Sequence, residues 1–251
     1  MKALLRRWLD RAGYVVFRKR DAASYARDGL FTVHRHPFLN DAAFRKAYAR
    51  GVQASAGYDP GMEWRVHVAL WAARLALSAQ GDFVECGVNA GFVSSAIMES
   101  LGWRELDRTF YLIDTFNGPV AAQFSDDESA KLVEIEKAVA RGSYVTDLSR
   151  VIENFKEWPR VEFVQGEVPS VLPDSGVRSV AFLHIDMNCA LPEREALRYF
   201  WPLLSDGAVV LFDDYTYFGH DAQTVAIDAV AAEVGASVLA LPTGQGLIVK
   251  R

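Results

Sequence analysis

From residue 82 onward the chain alternates short apolar runs with amphipathic ones, and this alternation restricts the fold more than any other feature. DFVECGV (82–88), TFYLIDTF (109–116), VEFVQG (161–166), VAFLHIDM (180–187) and AVVLFDDY (208–215) read as strands. Residues 93–101, 127–141, 147–156, 194–204 and 224–234 read as the helices between and after them. Strands that are apolar almost throughout need cover on both faces, so the pattern predicts a doubly wound parallel sheet. ASVLALP and GQGLIVK, meeting at Pro242-Thr243-Gly244, read as an antiparallel pair at one edge. The expected fold is therefore α/β and Rossmann-like. Its sheet has seven mostly parallel strands closed by an antiparallel C-terminal strand, with a helical extension (1–60) before the main domain (61–251).

The segment ahead of the sheet is less regular. It reads as a basic helix, a polar loop around His34-Arg35-His36-Pro37, and a helix near 40–50. Asp59-Pro60 then suggests a further helix start, with an apolar face along Trp64, Val68, Trp71 and Leu75. In the first helix Leu4, Leu5, Trp8 and Leu9 share one face, expected to dock on the body or in a homo-oligomer. Contact of residues 1–20 with a membrane surface is the alternative.

Charge and composition exclude several classes. A formal net charge of -5 gives no footprint for nucleic acid, and only the first twenty residues are locally basic. Interrupting charges leave no run of the roughly 18 apolar residues that a membrane span needs. The N-terminus lacks the form of a secretory signal, so a cytoplasmic location is expected. Cys86 and Cys189 lie inside apolar runs and read as free, reduced and structural, with no metal-type Cys/His spacing.

The first strand carries the most chemistry. It ends Glu85-x-Gly87-x-x-x-Gly91, a pattern distinct from G-x-G-x-x-G, and no lysine follows to cradle a triphosphate. Gly87 permits a sharp turn and Gly91 a close approach at the helix start. The second strand ends in Asp114, placed to accept hydrogen bonds from ribose hydroxyls. A glycine turn plus that acid suits an adenosine ligand without pyrophosphate, such as S-adenosylmethionine. Glu85 could fix the turn or face the ammonium of the methionine moiety.

The fourth and fifth strands end in acids, Asp186 and Asp213-Asp214. Three carboxylates meeting at one sheet end repel unless something positive joins them. A hard divalent ion, Mg²⁺, is the expected partner, able to lower the pKa of an acceptor hydroxyl. His184 alternates with Asp186 and shares its face, as either a structural group or a proton acceptor. Tyr215, Tyr217 and Phe218 either stack on a sugar ring or simply pack.

These segments resemble the macrocin O-methyltransferase (TylF-type) family of class I S-adenosylmethionine-dependent methyltransferases. The similar stretches are GDFVECGVNAG (81–91), LIDTFNGP (112–119), VIENF (151–155), VEFVQGEVPSVLP (161–173), HIDMN (184–188), FWPLLSDGAVVLFDDY (200–215) and PTGQGLIVK (242–250). The resemblance implies Mg²⁺-dependent methylation of a hydroxyl on a sugar, glycoside or related natural product, a small-molecule or glycan acceptor. It implies that Glu85, Gly87 and Gly91 line the methionine end, that Asp114 and the adjacent Thr115 hold ribose, and that Gln165, Gly166 and Glu167 flank adenine. Asp186, Asp213 and Asp214 match the metal ligands, with Asp186 also at the cofactor and in catalysis.

One position departs from that pattern. Where relatives often carry a second acid after the fourth strand, this chain has Asn188, whose amide cannot accept a proton at neutral pH. His184 is then the first candidate base and His220 the second, with His34 and His36 as lid-borne possibilities. The long connection 117–150 reads as a lid, a substrate wall or a plain surface excursion. A catechol or phenol methyltransferase and a non-catalytic S-adenosylmethionine-binding protein remain as alternatives. A dehydrogenase is disfavoured by the first turn.

Overall fold

The computed structural model describes residues 2–14 and 24–251. Its elements run α1 (Lys2–Arg11), β1 (Tyr25–Arg27), β2 (Leu30–Thr32), α2 (Ala42–Ala54), α3 (Glu63–Ala76), β3 (Asp82–Cys86), α4 (Phe92–Leu101), β4 (Phe110–Asp114), α5 (Ser129–Ala140), α6 (Leu148–Phe155), β5 (Val161–Gln165), β6 (Val180–Ile185), α7 (Ala190–Phe200), β7 (Leu204–Phe212), α8 (Asp221–Glu233), β8 (Leu239–Ala240) and β9 (Gly246–Val249). Seven strands form one sheet in the order β5-β4-β3-β6-β7-β9-β8. The first five pair in parallel, while β9 runs antiparallel to both β7 and β8. The α/β fold and the antiparallel closing pair are those expected.

Burial explains why the central strands are apolar at consecutive positions. Every residue of β6 is buried, as is β7 from Ala208 to Phe212, because helices cover both faces. The switch in strand order falls between β3 and β6, and in such sheets the crevice beyond the carboxyl ends at that point receives ligands.

Two expectations ahead of the sheet are corrected. Asp59 does not start α3, which begins at Glu63; its carboxylate instead accepts from the Tyr48 hydroxyl (2.5 Å) and the Gly61 N–H (2.9 Å). The buried face of α3 is Val66, Ala69, Leu70, Ala72, Ala73 and Ala76, whereas Trp71 is 51% exposed and Leu75 37%. Alanines let the helix sit close to β6, β7 and α4; Trp71 and Leu75 are turned outward, while Val68 still packs on the core and Trp64 on Tyr25 and Phe38. Beside it, α2 packs on α4 and adds Phe44, Ala47 and Tyr48 to the main core.

The β1–β2 hairpin was not anticipated. It turns at Asp28-Gly29, both with positive φ (51° and 70°), the combination a two-residue hairpin turn requires. That dipeptide was the available signal. In α1, Leu5 and Trp8 are exposed and Leu9 is half-buried, so two residues of the face expected to dock on the body are uncovered. Leu4 has a side chain outside the described set.

Candidate active site

Backbone register brings the site residues together. Glu85 pairs with His184 across β3 and β6, and His184 with Leu211 across β6 and β7. One residue beyond each strand, the Asp186 N–H donates to the Cys86 carbonyl (2.8 Å) and the Asp213 N–H to the Ile185 carbonyl (3.0 Å). The parallel ladder thus places the turn after β3 and the acids after β6 and β7 side by side.

The glycines serve the chain's own packing. Gly87 has φ 88°, and a Cβ there would overlap the backbone carbonyl of Asp186. Gly91 has φ 80°, and a Cβ would enter the ring of Phe155. Asp114 holds the same turn. Its Oδ2 accepts from the N–H groups of Val88 (2.6 Å) and Asn89 (3.0 Å), and its Oδ1 from Phe116 N–H (2.7 Å). The Thr115 hydroxyl sits nearer the Gly118 carbonyl (2.7 Å) than Asp114 Oδ1 (3.3 Å), which leaves that oxygen with acceptor capacity.

A cavity of about 700 Å³ opens along these ends. Glu85, Gly87, Asp114, Thr115 and Gly166 line it together with Asp186, Asn188, Asp213, Asp214, Tyr217 and His220. Gln165 and Glu167 border an adjoining hollow that shares Thr115 and Gly166 with it, while Gly91 lies behind the wall. The 117–150 connection supplies much of the wall, including Gln123, Phe124, Ile135 and Tyr144. Among the aromatics, Tyr215 is buried and bonds Asp228 (2.5 Å), Tyr217 faces the cavity, and Phe218 is 97% exposed.

The histidines separate clearly. His184 is fully buried and does not line the cavity. Its Nδ1 lies 2.8 Å from Glu85 Oε1 and its Nε2 3.8 Å from Asp213 Oδ1. Burial alone would lower its pKa, but the flanking Asp213 and Glu85 carboxylates raise it to about 10. A buried imidazolium between two carboxylates is a strut and is poorly placed to take a proton from a ligand. His220 does face the cavity, with Nε2 3.6 Å from Asp214 Oδ2 and an unpartnered Nδ1. Burial, then Lys131 and Arg65, push its pKa down to about 4, so it is neutral near pH 7. His34 and His36 do not line the cavity; the His36 ring packs edge-on against Tyr25.

Arg65 is the residue that sequence reasoning missed. Its guanidinium contacts Asp213 Oδ2 (2.6 Å) and Asp214 Oδ1 (3.6 Å), and grips both oxygens of Asp28 at the hairpin turn (2.7 and 3.0 Å). It also lies over the Tyr217 ring. No spacing rule links residue 65 to residue 213; only the packing of α3 on β7 does. Gln245 was missed too, although it sits in the quoted PTGQG segment; its amide donates to Asp213 Oδ1 (2.9 Å).

These contacts bring positive charge from within the chain chiefly to one of the three acids, Asp213. Asp213 would be raised by burial, but Arg65, His184 and Gln245 hold it well below the ordinary carboxylate range. Burial and the Asp213 charge push Asp214 up to about 7. Burial, then Asp213 and Asp214, raise Asp186 well above its usual value, and Asn188 Nδ2 lies 3.3 Å from its Oδ1. Among the described residues no three His, Cys, Asp or Glu side chains are grouped to hold a metal ion. With Asp213 held by Arg65, His184 and Gln245, the three acids do not form a ready Mg²⁺ site in this arrangement, while Asp186 and Asp214 keep the raised pKa values of neighbouring carboxylates.

The donor set does fit S-adenosylmethionine. Glu85 is buried, yet its Oε2 has no partner and the side chain lines the cavity, leaving a carboxylate oxygen for an ammonium group. The macrocin-O-methyltransferase (TylF) family model matches residues 72–232, which hold both the glycine turn and the acid cluster. The chain belongs to this family. It is an S-adenosylmethionine-dependent O-methyltransferase. None of the curated proteins matches the sequence. Among solved structures, the O-methyltransferase NovP is 19% identical with TM-score 0.63, over 80% of this chain and 88% of its own. The calicheamicin methyltransferase CalS11 is 17% identical with TM-score 0.57, over 85% and 88%. At that identity the two show that the TylF-family chain has the methyltransferase fold.

Proposed function

We propose that this O-methyltransferase acts on a hydroxyl of a sugar, a glycoside or a related natural product. The observation that carries the reading is that one cavity is lined both by Glu85 and Asp114 and by Asp186, Asp214 and His220. CalS11 is described as a TDP-rhamnose 3'-O-methyltransferase, in keeping with an acceptor of this class.

S-adenosylmethionine supplies an electrophilic methyl group, and transfer to an acceptor oxygen leaves a neutral thioether. Glu85 Oε2 would receive the ammonium and Asp114 Oδ1 a ribose hydroxyl. Thr115, Gln165, Gly166 and Glu167 would border the adenosine. The acceptor hydroxyl must lose a proton; Asp214, with a pKa of about 7, and His220, 3.6 Å from it, are the cavity-facing pair that would take it, the carboxylate being the stronger base. His184 would act through Glu85 and Asp213 by fixing their geometry.

The test is transfer of labelled methyl from the cofactor to a panel of sugars, nucleotide sugars, glycolipids and phenols. Labelling of phenols alone would favour the catechol-type alternative. Labelling of nothing, with the cofactor bound, would favour a binding protein. Running each arm with chelator and with added Mg²⁺ separates the metal requirement from the activity. A strict requirement would mean that Arg65 leaves Asp213 during turnover.

A further inference from the structure

We propose that α1 binds the surface of an anionic lipid bilayer, independently of the reaction above. The helix is ten residues long, about 15 Å, and ends in a defined cap. Gly13 has φ 79°, its N–H reaches the Asp10 carbonyl (3.0 Å), and the Tyr14 N–H reaches the Leu9 carbonyl (2.8 Å). The helix is therefore finished before the chain moves on, and on its apolar face Leu5 and Trp8 stay open while Leu9 is half-buried.

That face is Leu5, Trp8 and Leu9, at i, i+3 and i+4. Leu5 is 58% exposed and Trp8 64%. Arg6, Arg7 and Arg11 are exposed on the remaining surface and form no ion pair with described residues. A short helix with Trp and Leu on one side and arginines on the other suits the boundary between headgroups and acyl chains.

Charge selects the partner. The first twenty residues hold seven Lys or Arg and one Asp, a net +6, so the remaining 231 residues carry -11 against the whole-chain -5. An anionic surface attracts this end and repels the rest, which orients the protein as well as holding it. A second copy of α1 on the same face would bring two arginine sets together. A nucleic acid would satisfy the arginines and leave Leu5 and Trp8 in water.

The experiment is flotation of the whole chain with vesicles of phosphatidylcholine alone or mixed with phosphatidylglycerol, at low and high salt. Partition into the anionic vesicles should be at least about tenfold stronger, and high salt should weaken it. Trp8→Glu should lower that partition about tenfold by removing apolar insertion. Replacing Arg6, Arg7 and Arg11 by Gln should weaken the preference for anionic lipid, leaving the part that Lys2, Arg18, Lys19 and Arg20 supply. Affinity for S-adenosylhomocysteine should be unchanged in both variants, showing that they fold. Absence of partition, equal partition into both vesicle types, or indifference to Trp8→Glu would overturn the proposal. So would a dimer in sedimentation velocity that Trp8→Glu dissolves, which would assign the face to a second copy.

Discussion

Arg65 Nη1 stands 2.6 Å from Asp213 Oδ2, joining α3 to the loop after β7 across 148 positions of sequence. The same guanidinium holds Asp28, so the hairpin, the helix and the acid cluster share one cation. Removing one partner of a buried ion pair leaves the other uncompensated. Arg65→Ala should therefore destabilise the protein by about 3–5 kcal/mol in urea unfolding at neutral pH. Arg65→Lys should recover only part of this, because a single ammonium cannot span Asp28 and Asp213 in a fork.

Glu85→Gln should weaken S-adenosylhomocysteine binding about tenfold in calorimetry, because an amide replaces the free carboxylate oxygen facing the ammonium. An unchanged affinity would move the amino-acid end of the cofactor elsewhere in the cavity.

The same calorimetry should be indifferent to chelator and to added Mg²⁺. Glu85 and Asp114 are held by protein donors alone, and no described metal group adjoins them. Cofactor-product affinity that depends on Mg²⁺ would contradict this arrangement.

His184 makes stability depend on alkaline pH. Its folded pKa of about 10 lies above the unfolded reference of roughly 6.5. The imidazolium's contribution is fully present below the unfolded value and is lost as pH rises through the folded one, because the unfolded chain then binds fewer protons. Urea midpoints should fall between about pH 6.5 and 10, reflecting a loss of stability on the order of a few kcal/mol across that window. The fall should be clearly shallower in Glu85→Gln, which removes one of the two flanking charges. Parallel curves would mean that His184 is neutral in the fold.

Gly87→Ala should be among the most damaging small substitutions. It combines a positive φ with backbone overlap at Asp186. Gly91→Ala also has a positive φ but meets a ring that can shift, so its melting temperature should fall less. A thermal melt of both variants ranks them.

The fold class, the strand ends and the cofactor turn were legible because they are written locally. A buried parallel strand is apolar over consecutive residues, and a turn of positive φ calls for glycine at Gly87. The cavity-facing acids Asp186, Asp213 and Asp214 followed from the strand ends alone. What the sequence left open depended on distance in space. Alternation put His184 on the Asp186 side, yet only the ladder showed it sealed between Glu85 and Asp213, away from the cavity that His220 reaches. Close helix-to-sheet packing, which favours alanine over bulk, turned Trp71 and Leu75 of the expected α3 face outward, while Val68 stayed packed on the core. The positive partner of the acids was inferred as an ion because no nearby residue could supply it. The tertiary structure brings Arg65 from a helix more than a hundred residues away, since electrostatic pairing needs proximity in space and is blind to proximity in chain.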